Sequence, residues 1–148
     1  THCVMGSWGH QVHYSVLNAL EQWQQNNQQS INWVTKGKNI FTEHYSAMQA
    51  EVPDSQDPET QLNLHLIQTL DQADEIYVAG QASSHCVKAT IEHLVQYLPS
   101  QNYRKIILLT DCMSAVTGFE KAQQDFFANM QSKGVQLQTT TQLVKTLL

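Results

Sequence analysis

Two short apolar runs constrain the fold of this 148-residue chain more than any other feature. Glu75-Ile76-Tyr77-Val78-Ala79-Gly80 and Lys105-Ile106-Ile107-Leu108-Leu109-Thr110 are each entered from polar residues and are continuously apolar rather than alternating. A strand with one wet face alternates, whereas a continuous run marks a strand buried on both faces, as in a parallel sheet. Ile31-Asn32-Trp33-Val34-Thr35 is a weaker third strand candidate and Gly134-Val135-Gln136-Leu137 a short fourth. Between the candidates, apolar residues recur at helical spacing: Val12, Val16, Leu17 and Leu20; Leu62, Leu66, Ile67 and Leu70; Val87, Ile91, Leu94 and Val95; Phe119, Ala122, Phe126 and Met130. Gly134 fits a helix stop. Strands alternating with helices predict right-handed βαβ crossovers and an α/β fold, a parallel sheet with helices on both faces. In such sheets chemistry gathers at the carboxyl ends of the strands.

The length fits one domain over residues 1–148, large enough to bury a core, and no internal repeat divides it. A net charge of -5 argues against nucleic acid and acidic membrane surfaces as partners. No apolar run approaches the roughly 20 residues of a membrane span. Glutamine and asparagine take the place of charge, most densely from Gln22 to Gln29, which reads as a solvated helix end and loop. Three irregularly spaced cysteines, Cys3, Cys86 and Cys112, do not form a disulfide framework, so a reducing, cytoplasmic setting is expected. Residues 37–58 have little apolar periodicity and contain Pro53 and Pro58, and read as a long surface loop over the site. The chain opens on Thr1-His2-Cys3-Val4 without the central strand that usually starts such a domain, so one or two amino-terminal strands are expected to lie upstream.

Cys86 follows the first strong strand through Gly80-Gln81-Ala82-Ser83-Ser84-His85 and opens the helix that begins with Val87. A helix amino terminus offers unpaired N–H groups and the positive end of the helix dipole, which favour a thiolate. The same amides can hold the oxyanion of a tetrahedral intermediate. The plain alternative is a buried structural thiol, the usual fate of a lone cysteine.

Three ordered segments sharpen this choice. Val78-Ala79-Gly80-Gln81-Ala82-Ser83-Ser84-His85-Cys86-Val87 resembles the nucleophile turn of isochorismatase-like cysteine hydrolases, a Gly-x-Ala-(Ser/Thr)-x-x-Cys-Val segment after a strand. Thr35-Lys36-Gly37, with Glu43-His44-Tyr45-Ser46-Ala47 beyond it, is similar to the lysine segment of that superfamily. His2-Cys3-Val4-Met5-Gly6-Ser7-Trp8-Gly9 is similar to a stretch typical of nicotinamidases, and Thr110-Asp111-Cys112 fits the closing segment. The resemblance spans essentially the whole chain. It implies a Rossmann-like three-layer isochorismatase-like domain.

It also implies an activity, the hydrolysis of a small carboxamide, with nicotinamide the foremost substrate. Cys86 would be the nucleophile, giving a thioester. Lys36 would lie beside the thiol, and the Gln81–Ala82 peptide bond would be cis, aiming the Ala82 amide with that of Cys86 into an oxyanion hole. His2 corresponds to a ligand of a divalent metal, commonly zinc. The aspartate of the triad and the other metal ligands would precede Thr1. Trp8 and Tyr45 are candidates to wall an aromatic substrate, with simple packing the plain alternative for each lone aromatic. Cys3 and Cys112 read as structural thiols, Asp111 as a brace at a strand end, and His10, His13, His44, His65, His85 and His93 as ordinary histidines. The expected partner is a small molecule, and the expected assembly a homo-oligomer. Other readings are a carbamoyl-amide or isochorismate hydrolase of the same superfamily, or a non-catalytic α/β binding module.

Overall fold

The computed structural model of the protein describes residues 3–147, which form two compact units, Thr1–Val34 and Thr35–Leu148. The first unit carries a short 3-10 turn at Trp8–His10 and helix α1, Tyr14–Asn27. His13 caps α1 through its ring, which accepts from the Ser15 amide. No α1 residue is buried; Leu17 and Leu20 are half-buried on its apolar stripe. The glutamine and asparagine run is its solvated carboxyl end, closed by Gln28 at φ 53°.

The second unit runs α2 (Leu64–Asp71), β1 (Ile76–Val78), α3 (Cys86–Tyr97), β2 (Ile106–Leu109), α4 (Glu120–Ser132), β3 (Gln136–Gln138) and α5 (Thr140–Leu147). The three strands form a parallel sheet in the order β1-β2-β3, with Ile76 opposite Ile106 and Leu108 opposite Leu137. Successive right-handed crossovers in one direction put α3 and α4 on the same face. Ile106, Ile107 and Leu108 of β2 are all at most 2% exposed, although consecutive strand residues point to opposite faces. Both faces of the central strand are therefore covered, which is what its unbroken apolar run demands. Ile91 and Leu94 of α3, Phe126 and Met130 of α4 and Ile67 of α2 complete one core cluster. Each such side chain contributes about 1.5–3 kcal/mol by leaving water. Gly134 ends α4 at φ +99°, a conformation that side-chain-bearing residues rarely adopt.

Four expectations change. Residues 31–35 form no strand: among the described residues they have no ladder partner, and Trp33 is 61% exposed. The fourth strand begins at Gln136 rather than Gly134, because the Val135 amide still bonds back to Met130. Helix α5 carried no clear sequence periodicity and was not expected. Residues 37–57 hold no helix or strand, as read, yet they are not wholly superficial. Ser46, Met48 and Ala50 are each at most 2% exposed. Their backbone is paired outside any ladder: Asn63 N–H donates to Met48 O, Ala50 N–H to Thr60 O and Ala47 N–H to Thr90 Oγ1.

Candidate active site

The carboxyl end of β1 leads directly into the turn that carries Cys86. Gly80 leaves the strand at φ +109° and donates its N–H to Cys112 O at 3.0 Å. The peptide bond between Gln81 and Ala82 is cis, as the sequence resemblance implied. The Ala82 carbonyl then accepts from the His85 and Val87 amides, each at 3.0 Å, closing the first turn of α3. No side chain caps this helix. Among the described residues the Ala82 and Cys86 amides donate to no protein acceptor.

The turn is tied to the segment after β2 by further bonds to main-chain atoms. Ser83 N–H donates to Ser114 O at 2.9 Å, Ser114 N–H to Gln81 Oε1 at 3.0 Å, and Val116 N–H to Ser84 Oγ at 2.9 Å. Ser83, fully buried, also accepts from Gln123 Nε2 on α4. The backbone carrying the thiol is thus held from two sides.

Lys36 reaches the same place from 50 residues away in sequence, its Nζ standing 3.9 Å from Cys86 Sγ. It is held there by donating to the His44 carbonyl at 2.7 Å. Partial burial, and then the charge of Lys36, push the His44 imidazole below the ordinary histidine range, with Glu51 and Asp57 pulling the other way. The Thr90 hydroxyl, one turn along α3, donates to Cys86 O at 2.7 Å and accepts from Ala47 N–H at 3.0 Å. A pocket of about 200 Å³ opens here, lined by Lys36, Val78, Ala79, Gln81, Cys86, Val87 and Thr90. It combines a half-buried thiol, an ammonium group and an apolar floor from the end of β1.

The structure therefore brings together Cys86, Lys36 and Ala82. Tyr45 stands outside the pocket lining, its ring 6.1 Å from that of His85, which in turn meets Phe119 edge-on at 4.7 Å. Trp8 belongs to the first unit, where it is 89% exposed. His2 lies outside the described residues. Among the described residues no three His, Cys, Asp or Glu side chains stand together as a metal-holding group. The described residues do not by themselves make up the divalent-metal site that the resemblance implied, and no chemical step is drawn through a metal. Asp111 is a brace as read, its carboxylate accepting from Thr140 N–H and Oγ1 at the start of α5. Among the described residues no helix is long and apolar enough to cross a membrane. Sequence reasoning missed Thr90, which its i+4 spacing from Cys86 would have disclosed, and the His44 carbonyl, for which a main-chain atom gives no signal.

This arrangement, a parallel sheet with a thiol at the strand-to-helix turn and a lysine beside it, has the isochorismatase-like fold. In particular it superposes on nicotinamidases and pyrazinamidases. The yeast nicotinamidase Pnc1p matches with a TM-score of 0.65 at 20% identity, over 92% of this chain and 56% of that one. The nicotinamidase/pyrazinamidase of Acinetobacter baumanii gives 0.63 at 19% identity, over 97% and 59%. The Pyrococcus horikoshii pyrazinamidase, whose structure is a complex with zinc, gives 0.59 at 16% identity, over 94% and 62%. The chain thus spans less than two thirds of the length of these structures. No family model matches the sequence, and no curated protein matches it.

Proposed function

We propose that the protein is a cysteine hydrolase of small carboxamides, with nicotinamide as substrate and nicotinate and ammonia as products. The observation that carries this reading is the approach of Lys36 Nζ to within 3.9 Å of a thiol seated at a helix amino terminus. In the proposed reaction Cys86 sulfur attacks the amide carbon and the carbonyl electrons move onto oxygen. The Ala82 and Cys86 amides, which among the described residues have no other protein acceptor, receive that oxyanion. The intermediate collapses with cleavage of the C–N bond, and the departing nitrogen takes a proton and leaves as ammonia. Water then attacks the thioester, the acid departs and the thiol is restored. Lys36, its Nζ 3.9 Å from the sulfur, orients the nucleophile.

The protons need a carrier, and the pocket lining offers a thiol and an ammonium group. We assign the base to an aspartate, as the sequence resemblance implies, which the pocket lining does not itself supply. Tyr45, beside the turn, is proposed to flank a bound ring; the same role for Trp8 rests on sequence alone. Three free thiols suit a reducing, cytoplasmic setting.

Ammonia release from nicotinamide tests this, comparing the 148-residue chain with one extended by an Asp-bearing strand and an Asp-x-His segment. A positioned base typically contributes ~10²–10⁴-fold, so release should rise by that order in the extended chain. Cys86→Ala should abolish it there, and Lys36→Ala should be nearly as severe, because groups acting as one unit are not additive. Hydrolysis surviving Cys86→Ala sinks the mechanism. Cleavage of a carbamoyl compound through Cys86, with nicotinamide ignored, keeps the mechanism and replaces the substrate.

A further inference from the structure

Lys36 and Cys86 are 50 residues apart in sequence, yet a closed circuit of bonds sets the distance between them. Lys36 Nζ donates to the His44 carbonyl at 2.7 Å. A few residues further on, Ala47 N–H donates to Thr90 Oγ1 at 3.0 Å. The Thr90 hydroxyl donates in turn to Cys86 O at 2.7 Å, and Cys86 Sγ lies 3.9 Å from Lys36 Nζ, which closes the circuit. A hydroxyl has one proton and two lone pairs. Here the proton goes to Cys86 O and a lone pair takes the Ala47 N–H, so the oxygen joins two main-chain groups in a fixed orientation. The residues between His44 and Ala47 have little slack. Ser46 is fully buried and its Oγ accepts from Met48 N–H at 2.9 Å, while Glu51 N–H donates back to Glu43 O at 2.9 Å. The lysine is thus hung on the 43–51 segment and the thiol on α3, and Thr90 fastens one to the other.

We propose that Thr90 is a positioning residue for the reaction, holding the His44 carbonyl at the point along α3 where its lysine meets the Cys86 sulfur. The inference rests on the thiol-hydrolase reading above and adds a residue that acts through Lys36 rather than on the reacting atoms. Small displacements suffice for such a role, since a misplacement of about 1 Å can cost on the order of 10²-fold in rate.

Alkylation of the thiol tests this without requiring turnover, because an adjacent ammonium group quickens the reaction of a thiol with iodoacetamide. Labelling rates at Cys86 and Cys112 are measured by peptide mass spectrometry in the 148-residue chain, in Thr90→Val, Thr90→Ser and Lys36→Met, and in the Thr90→Val, Lys36→Met double variant. Valine keeps the shape of the side chain and removes the hydroxyl, whereas serine keeps the hydroxyl. Thr90→Val should slow Cys86 by roughly three- to tenfold, the contribution of about one hydrogen bond, and Thr90→Ser should stay within about twofold of the wild-type chain. With Lys36→Met in place valine should have no further effect, since a residue acting through the lysine has nothing left to act on. The sign separates positioning from loosening: both thiols are half-buried, so a looser fold would label faster at Cys86 and at Cys112. Valine that leaves Cys86 unchanged, speeds it, or slows it equally in the Lys36→Met background overturns the Thr90 assignment alone. Serine that slows Cys86 as much as valine does the same. If Lys36→Met does not slow Cys86, the lysine–thiol reading of the site falls and the proposal with it.

Discussion

Replacing Thr90 with valine exchanges a hydroxyl for a methyl and leaves the shape of the side chain almost unchanged. In the native chain that hydroxyl donates to Cys86 O at 2.7 Å and accepts from Ala47 N–H at 3.0 Å. Loss of the first bond costs little, because a threonine bonding back to the carbonyl one turn earlier does not strengthen a helix. Loss of the second leaves the part-buried Ala47 amide facing a methyl, and an unmet donor of this kind costs about 1–3 kcal/mol. With a urea dependence of about 2 kcal/mol per molar for a small domain, the unfolding midpoint should fall by roughly 0.5–1.5 M. Thr90→Ser is the control: it keeps both bonds and loses one methyl, at most about 0.8 kcal/mol. Valine should therefore be the more damaging substitution, read by urea unfolding followed by far-ultraviolet circular dichroism. If serine destabilises more than valine, Thr90 acts by packing, and the link drawn here between α3 and the 46–50 segment is wrong.

The other expectations are tested more simply. In competitive iodoacetamide labelling at neutral pH, read by peptide mass spectrometry, Cys86 should react faster than Cys3 or Cys112, and equal or slower labelling would count against its role as nucleophile. Hydrogen bonds from Thr140, first its hydroxyl and then its amide, hold the Asp111 carboxyl below its ordinary value of 3.8. A depressed carboxyl stabilises the fold above that ordinary value, and the contribution is lost as pH falls through the lower folded value. Protection of the α5 amides, taken relative to the intrinsic exchange rate at each pH, should therefore fall as pH drops from about 5 to about 2, and Asp111→Asn should remove that pH dependence. A pH dependence unchanged in the asparagine variant would refute the capping role.

Much of the fold was legible because its signals are local. The continuous apolar run at 105–110 required a strand covered on both faces, and Ile106, Ile107 and Leu108 are so covered. The repeat of Val87, Ile91, Leu94 and Val95 marked one buried face of α3, and all four are buried. The turn before Cys86 could be placed from its position between a strand and a helix, while the cis bond at Gln81–Ala82 was implied by the family resemblance alone. What escaped depends on partners distant in sequence. Ile31-Asn32-Trp33-Val34-Thr35 has strand composition, but a strand exists only with a ladder, which composition does not report. The buried residues Ser46, Met48 and Ala50 are small or flexible and alternate over too few positions to stand out. Lys36 was assigned to the thiol by resemblance; nothing in its neighbours announces that the His44 carbonyl, eight residues on, would hold its amine.

The bonds that hold the nucleophile turn are unequal in their demands on heredity. Within the 112–116 segment every partner is a main-chain atom: the carbonyls of Cys112 and Ser114 and the amides of Ser114 and Val116. On the near side two of the partners are the side chains of Gln81 and Ser84. Mutation at 112, 114, 115 and 116 can therefore proceed without breaking these ties, provided that no proline removes the amide at 114 or 116, while Met113 is constrained by its place in the core. At 81 and 84 the same drift breaks a tie with nearly every substitution. The segment facing the site can thus acquire new side chains while the thiol beside it stays fixed, which leaves a permissive border against an invariant centre.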